Sequence, residues 1–430
     1  MAKMNRFIFE YKECIKNIGI TPNDALPSKA VIRRFVRLFK DVDDSRLKGM
    51  IDYPLSEILL IAFLAILGNA SKWAEIEDFG KAHLRWLKKF LKLKNGIPSH
   101  DTFRRVFALI DSVQLQTATV SFLIENMNLL KKSLGVKDSG YRHICVDGKE
   151  EKGTGRKYDT DEKIRNLQTL HVYDASNDIC LFSQPIEEKT NEIPVAQEIL
   201  KNMQLKGCII TFDAMHTQKE TIRIIAECKG DYVGGLKGNQ GTLLVDAERT
   251  FSTETRKKLK ESTESYYETS EKAHGQVEIR RFYLKKAVHS INGDVEWKNL
   301  RSFICYEKYT YNIITKKEKT ELRYYITSIN DIELGADAIR GHWEVETGFH
   351  WYLDASFKED ENTTMDKTAF NNYSLINKMA LSLCKLVRPL MGNRSIQRLR
   401  KSFGWNMEDS LSILLNNFDE DQIKKALENK

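Results

Sequence analysis

Several familiar signatures are missing from this 430-residue chain. Its seven cysteines, at positions 14, 145, 180, 208, 228, 305 and 384, are odd in number and form no CxxC pair. That argues against a disulfide scaffold or a zinc ribbon and leads us to expect reduced thiols in a cytoplasmic protein. The opening MAKMNRFIFEYKE has no apolar signal core. The longest apolar run, Ile58 to Leu67, is about half the roughly 20 residues that a membrane span needs, so it reads as a buried helix, with no membrane partner expected. There is no GxxxxGK[ST], no GxSxG and no GxGxxG after a strand, which removes P-loop ATPases, nucleophile-elbow hydrolases and dinucleotide enzymes. Proline is scarce, with 7 residues, and neither a fixed-period repeat nor a low-complexity tract occurs. Compact domains joined by short connections are therefore expected.

The remaining composition is that of an ordinary globular chain, 41% hydrophobic and 30% charged. Its length predicts two or three domains at roughly 150 residues each. A net charge of +7 says little about a polyanionic partner when spread over such a length. Local clustering must carry that argument. Residues 1–138 read as a helical N-terminal domain: Pro54 precedes LSEILLIAFLAIL, Trp73, Ile76 and Phe79 recur at three-residue spacing, and Leu84, Leu87, Phe90 and Leu91 follow. Lys88 and Lys89 interleave with the last of these, and Asn95-Gly96 marks a turn. Ser99 or Asp101 can cap a helix that exposes Arg104 and Arg105. This is the pattern of a helix-turn-helix DNA reader, and equally of a helical hairpin with a basic solvated face.

The period changes over 139–249. YRHICVDGKE, LQTLHVYDAS and DICLFSQPIEE predict three strands, with Asn177-Asp178 turning between the last two. NEIPVAQEILKNM, CIITFDAM, QKETIRIIAEC, DYVGGL and QGTLLVDAERTF then alternate helix and strand. The order βββαβαβα specifies a mixed sheet with helices against it, an α/β fold. Residues 250–332 return to strand alternation with one wet face, a β-rich insertion, and 333–430 resume helical periodicity.

Asp147 ends the strand Ile-Cys-Val-Asp and Asp213 ends Ile-Ile-Thr-Phe-Asp. A carboxylate at the end of an apolar strand is expensive unless it is paired or holds a cation. Two of them, on strands that this order puts side by side, favour a shared cation site. On the helix from Arg340 to Asp354, His342, Glu346, His350 and Asp354 recur every four residues and line one stripe, so Glu346 can meet both aspartates. Structural hydrogen bonding is the plainer reading for the two histidines, which with Asp354 stand as supporting residues. Three carboxylates with oxygen-only ligation suit Mg²⁺ or Mn²⁺, and two such ions serve phosphoryl transfer on nucleic acid. Lys237, before Gly238-Asn239-Gln240-Gly241, opens a helix in a geometry that can hold a phosphate; an ordinary strand-to-helix connection fits equally.

The blocks PLSEILLIAFLAIL, WAEIEDFG, LKNGIPSHDTFRRVF, VDGK, KTNEIP, TFDAMHTQKE, GDYVGGLKGNQG, HGQVEIRRF and RGHWEVETGFHWYLDASFKED span about residues 50 to 360 in order. Together they resemble the H-repeat-associated, ISAs-type insertion-sequence transposases, members of the DDE superfamily with an RNase H-like core. The resemblance implies that Asp147, Asp213 and Glu346 are the catalytic and metal-binding triad, that two Mg²⁺ or Mn²⁺ ions are used, and that the enzyme works as a homo-oligomer on DNA. Its substrates would be terminal inverted repeats and target DNA. Lys88, Lys89, Arg104, Arg105, Lys149 and Lys237 are the expected phosphate contacts. After Lys358-Glu359-Asp360 the family tends to continue with arginines, whereas this chain has Glu361, Asn362, Thr363 and Thr364. Lys367, Lys378 or Arg388 would then substitute. A remnant that keeps the fold without transposing, or a metal-dependent nuclease that cuts without joining, are the rival readings.

Overall fold

The computed structural model describes residues 4–5, 39–133, 140–157, 163–186, 191–273, 275–287, 297–388 and 394–407. The helix expected over the C-terminal tail, and Lys189, Thr190 and His274 of the family-like blocks, lie outside them. No single helix among the described residues is long and apolar enough to cross a membrane.

Helix α1 (Leu55–Leu67) is buried along nearly its whole length, as a helix that is apolar all round must be. Around it lie α2 (Trp73–Ala82), α3 (Leu84–Leu87), α4 (His100–Phe107) and α5 (Ser112–Ser133). The helix expected to carry the lysines stops at Leu87. Glu57, buried on α1, accepts the amide N–H groups of Lys92 at 2.9 Å and Leu93 at 3.4 Å, and this draws the chain off the helical path. Lys88, Lys89, Lys92 and Lys94 consequently sit on an irregular connection rather than on a helix face. Ser99 is the cap that starts α4, accepting from the Thr102 amide.

One mixed sheet dominates the chain. Its longer strands are β1 (Tyr141–Glu151), β2 (Leu167–Asp174), β3 (Ile179–Ile186), β4 (Cys208–Phe212), β5 (Asp231–Leu236), β6 (Tyr266–Ala273), β7 (Gln276–Lys286), β8 (Ser302–Asn312) and β9 (Glu318–Thr327), and the short Met4–Asn5 strand pairs in parallel with the start of β1. They lie in the order 3-2-1-4-5-9-8-7-6. β1, β4 and β5 run parallel, while β2 and β3 fold back as an antiparallel meander. Helices α6 (Glu192–Lys201), α7 (Lys219–Glu227) and α8 (Gly241–Thr250) connect the strands, and α9 (Thr253–Leu259) follows. The element order is the one expected from periodicity.

The expected segments pack together across their boundaries. The β-rich segment extends the sheet, with β9 joining β5 antiparallel, Tyr324 opposite Leu236. The early helices also meet elements from the far end of the chain. Helix α12 (Lys367–Val387) carries Asn372, whose amide donates to the carbonyls of Phe107 (2.8 Å) and Ile110 (2.9 Å) at the end of α4 and just beyond it. Helix α13 (Ile396–Trp405) carries Arg400, whose guanidinium, buried throughout, donates to the Ile66 and Ala70 carbonyls at the end of α1. A helix C-terminus leaves such carbonyls unsatisfied. The early helices and the last ones therefore share one apolar core with the sheet.

Candidate active site

Helix α10 (Ile332–Glu344) lies across the sheet, its Ile332, Leu334 and Ile339 packed with Ile209, Val233 and Ile304. Gly341 lets it press close: a Cβ there would stand 2.6 Å from His143 Nδ1. The next six residues, Val345–His350, form a π-helical turn before α11 (Trp351–Phe357). Such wide turns recur at functional sites because the extra residue re-aims the side chains that follow. Here the stripe expected every four residues is spread over several partners. His342 Nδ1 meets Thr211 Oγ1 at 3.1 Å, Glu346 stands exposed, His350 Nε2 meets His171 Nδ1 at 2.9 Å, and Asp354 pairs with Lys149 at 2.9 Å.

The two aspartates sit side by side. β1 and β4 pair in parallel with Val146 opposite Phe212, so Asp147 and Asp213 are the next residues of adjacent strands. Asp213 opens a turn, its Oδ1 accepting from the amides of Met215 (2.9 Å) and His216 (3.4 Å). Asp147, its side chain 19% exposed, has its carboxyl pushed up to about 7, first by burial and then by the negative charges of Glu346 and Asp213. Both other carboxylates thus act on Asp147. His350 Nδ1 lies 3.7 Å from Asp147 Oδ2. Burial, with the nearby charges of Lys149 and Lys378, pushes the His350 imidazole down to about 3, so it is neutral and forms no ion pair there. Burial likewise pushes His342 down to about 4.

The raised Asp147 carboxyl has a measurable consequence. Folding favours its protonated form, a contribution complete below about pH 4 and lost progressively as pH rises to about 7. In metal-free protein, Asp147→Asn is therefore expected to raise stability by about 2 to 4 kcal/mol at pH 8, each tenfold change in proton affinity being worth ~1.36 kcal/mol, with little gain at pH 4. Urea unfolding at the two pH values checks this, and equal effects at both would contradict it.

As donors the three groups offer oxygen only, partly open to solvent and mutually repelling, a set that fits a hard divalent cation. Among the described residues no group of three or more His, Cys, Asp or Glu side chains is already placed to hold a metal ion.

Of the expected phosphate contacts, Lys237 is exposed on a loop tied to the turn after Asp213: Asn239 donates to the Ala214 carbonyl at 2.6 Å. Arg104 is exposed and lines a cleft of about 420 Å³ with Trp73, Tyr373 and residues 361–365, which follow α11. Lys88, Lys89 and Arg105 are exposed on the helical side. Lys149 must be corrected. It is 7% exposed and held by Glu151 (2.5 Å), Asp354 (2.9 Å) and Glu359 (3.4 Å). Burial would lower its pKa, but Glu359 and Glu151 outweigh that and hold it well above the ordinary lysine range. Its charge is spent inside the protein, with Asp354 among its partners. Lys378 is also buried, donating to Ser183 and Ser374, so it cannot replace the arginines absent after Asp360. Two residues beside the aspartates were not anticipated, Glu192 and His216. Both lie within blocks noted in the sequence, but nothing local marked them as close to Asp147.

A family model described as "DDE_Tnp_1-associated" matches residues 36–123, and one described as "Transposase DDE domain" matches residues 138–383. "Putative transposase YncI" of Escherichia coli O157:H7 is 31% identical over 368 residues, covering 85% of this chain and 90% of that protein. "H repeat-associated putative transposase YhhI" of Escherichia coli (strain K12) is 30% identical over 356 residues, covering 82% and 90%. A solved piggyBac transposase synaptic complex with hairpin DNA aligns over 99% of this chain and 85% of that one, at a TM-score of 0.35 and 13% identity, too slight a likeness to bear on the fold. The family model spans more than half of the sequence and the bacterial relatives nearly all of their own length, so the chain belongs to the DDE transposase family, alongside the H repeat-associated transposases.

Proposed function

We propose that the chain is an insertion-sequence transposase that binds the terminal inverted repeats of its element, cuts DNA and joins the 3′-hydroxyl ends to target DNA. The observation that carries this is the parallel register of β1 and β4, which sets Asp147 beside Asp213, with Glu346 close enough to raise the Asp147 carboxyl. The meander followed by two parallel strands, 3-2-1-4-5, supports an RNase H-like reading of the catalytic core. Asp147, Asp213 and Glu346 would hold two divalent ions, Mg²⁺ or Mn²⁺. When bound, such ions activate water or a 3′-hydroxyl on one side of a phosphodiester and stabilise the leaving oxygen on the other.

The protein's own residues fix that geometry. Met215 and His216 amides orient Asp213, and the Thr211 hydroxyl holds His342 beneath it. Lys88, Lys89, Arg104, Arg105 and Lys237 would contact DNA phosphates, and the working unit on paired ends would be a homo-oligomer.

Five such contacts predict a strong salt dependence. Affinity for the element's ends should fall roughly 500-fold between 50 and 200 mM salt, from a slope near −0.9 per phosphate neutralised. Fluorescence anisotropy across that range checks it, and a flat profile would remove the phosphate contacts. The reaction itself is tested by incubating purified protein and Mg²⁺ or Mn²⁺ with labelled DNA carrying the native flanks of its gene and a plasmid target. Joined products support the transposase. Cleavage without joining would make it a nuclease, and binding without chemistry a remnant.

A further inference from the structure

A fourth carboxylate lies against the strand that carries Asp147. Gly148 follows Asp147 directly, and a Cβ at that position would stand 2.5 Å from Glu192 Oε2 and 2.8 Å from Oε1. The carboxylate of Glu192 therefore rests on the β1 backbone one residue beyond Asp147, in space that only a glycine leaves open. Glu192 is fixed there by its position as the first residue of α6, which Asn191 caps by accepting from the Ile193 amide at 2.8 Å. On its other side stands His216, three residues beyond Asp213, with Nε2 at 3.6 Å from Glu192 Oε2.

This corner is incompletely satisfied. His216 is 1% exposed, and neither of its ring nitrogens has a hydrogen-bond partner; Glu192 Oε2 has none either. Buried polar atoms are nearly always paired, because leaving them bare forfeits their hydration. Three bare atoms in one place, beside two acidic strand ends, call for something that satisfies oxygen and imidazole donors together. The corner adjoins Asp147 through the next residue, Gly148, and Asp213 through His216 on the turn that follows it. An anionic phosphate would be repelled by Glu192, Asp147 and Asp213. A hard divalent cation would be attracted by all three.

Resting on the metal-dependent reading above, we propose that Glu192 supplies a fourth carboxylate to the divalent-ion centre of Asp147 and Asp213, with His216 as the residue that positions it. The donor set of one ion would then draw on β1, β4 and the start of α6, three elements that the parallel sheet brings to one edge. A histidine that orients a ligating carboxylate is worth about tenfold to a hundredfold in metal affinity.

The test is Mn²⁺ titration of the full chain, read by electron paramagnetic resonance of free Mn²⁺ and by calorimetry, for wild type, Asp147→Asn, Glu192→Gln and His216→Gln. The expected result is two ions in wild type, loss of at least one in Asp147→Asn, a tenfold or greater weakening of one ion in Glu192→Gln, and about a tenfold weakening in His216→Gln with unchanged stoichiometry. Circular dichroism checks that each variant is folded. If Glu192→Gln does not fold, Glu192→Asp, which keeps the charge but reaches one methylene less, is read in its place and should show the same weakening. Wild-type Mn²⁺ binding by Glu192→Gln, or by the Asp variant in its place, with binding lost in Asp147→Asn, would overturn this inference and leave the proposed function standing. Wild-type Mn²⁺ binding by His216→Gln would remove the positioning role of His216. If wild type bound no Mn²⁺, or Asp147→Asn bound it as wild type does, both readings would fall.

Discussion

Asp213→Asn is expected to reduce DNA cleavage by at least about a thousandfold while leaving binding to the element's ends within twofold. The substitution is nearly isosteric, and the turn survives it: the amides of Met215 and His216 donate to Oδ1, and an asparagine side-chain carbonyl can accept the same two bonds. What disappears is a negative charge at the end of β4, beside Asp147. A hard cation binds an amide oxygen far more weakly than a carboxylate. Several kcal/mol of transition-state stabilisation go with it, at ~1.36 kcal/mol per decade of rate. DNA affinity should hold because the proposed phosphate contacts, Arg104, Arg105 and Lys237 among them, are exposed residues on other elements. Gel-based cleavage and anisotropy on the same preparation separate the two effects. Cleavage within tenfold of wild type would remove Asp213 from the mechanism.

The aspartates were legible because their signal is local: a continuous apolar run closing on a carboxylate is read within a few residues and needs no knowledge of distant ones. Their adjacency followed from the element order, since a meander followed by helix–strand units leaves few ways to arrange the sheet. Other features depend on contacts that sequence spacing does not encode. The joining of β9 to β5 is a pairing of Tyr324 with Leu236, and the alternation of β9 reads the same in a free insertion as in a continued sheet. Stripe reasoning over His342, Glu346, His350 and Asp354 assumes 3.6 residues per turn, and the π-helical turn at Val345–His350 breaks that assumption at the residues that matter. Lys149, expected at a DNA phosphate, is instead engaged inside the protein. Its partner Glu359 stands 210 residues further along.

Lys149→Met is expected to lower stability by about 3 to 5 kcal/mol at pH 7.5, the loss typical of stranding buried charge. Methionine keeps the length of the stem but removes the ammonium that Glu151, Asp354 and Glu359 share. Glu359 is buried and keeps further partners, Ser374 at 2.6 Å and Asn377 at 3.2 Å. Glu151 has only the lysine among its side-chain hydrogen bonds, and its carboxyl is already pushed up to about 7 by burial and by Glu359. Removing Lys149 moves it higher still. A raised folded pKa contributes stability at low pH that is lost as pH rises, so the gap between variant and wild type should narrow at pH 5.5. Urea unfolding at pH 5.5 and 7.5 tests both the size and the sign. The cluster also joins β1, two residues beyond Asp147, to Asp354, Glu359 and Asp360, which follow Glu346 in the chain. Cleavage should therefore fall more than unfolding alone accounts for, even at temperatures where the variant is fully folded. A loss below about 1 kcal/mol at pH 7.5, the range of a surface ion pair, would mean that water reaches these carboxylates and that the cluster does not hold the segment after Glu346 to β1.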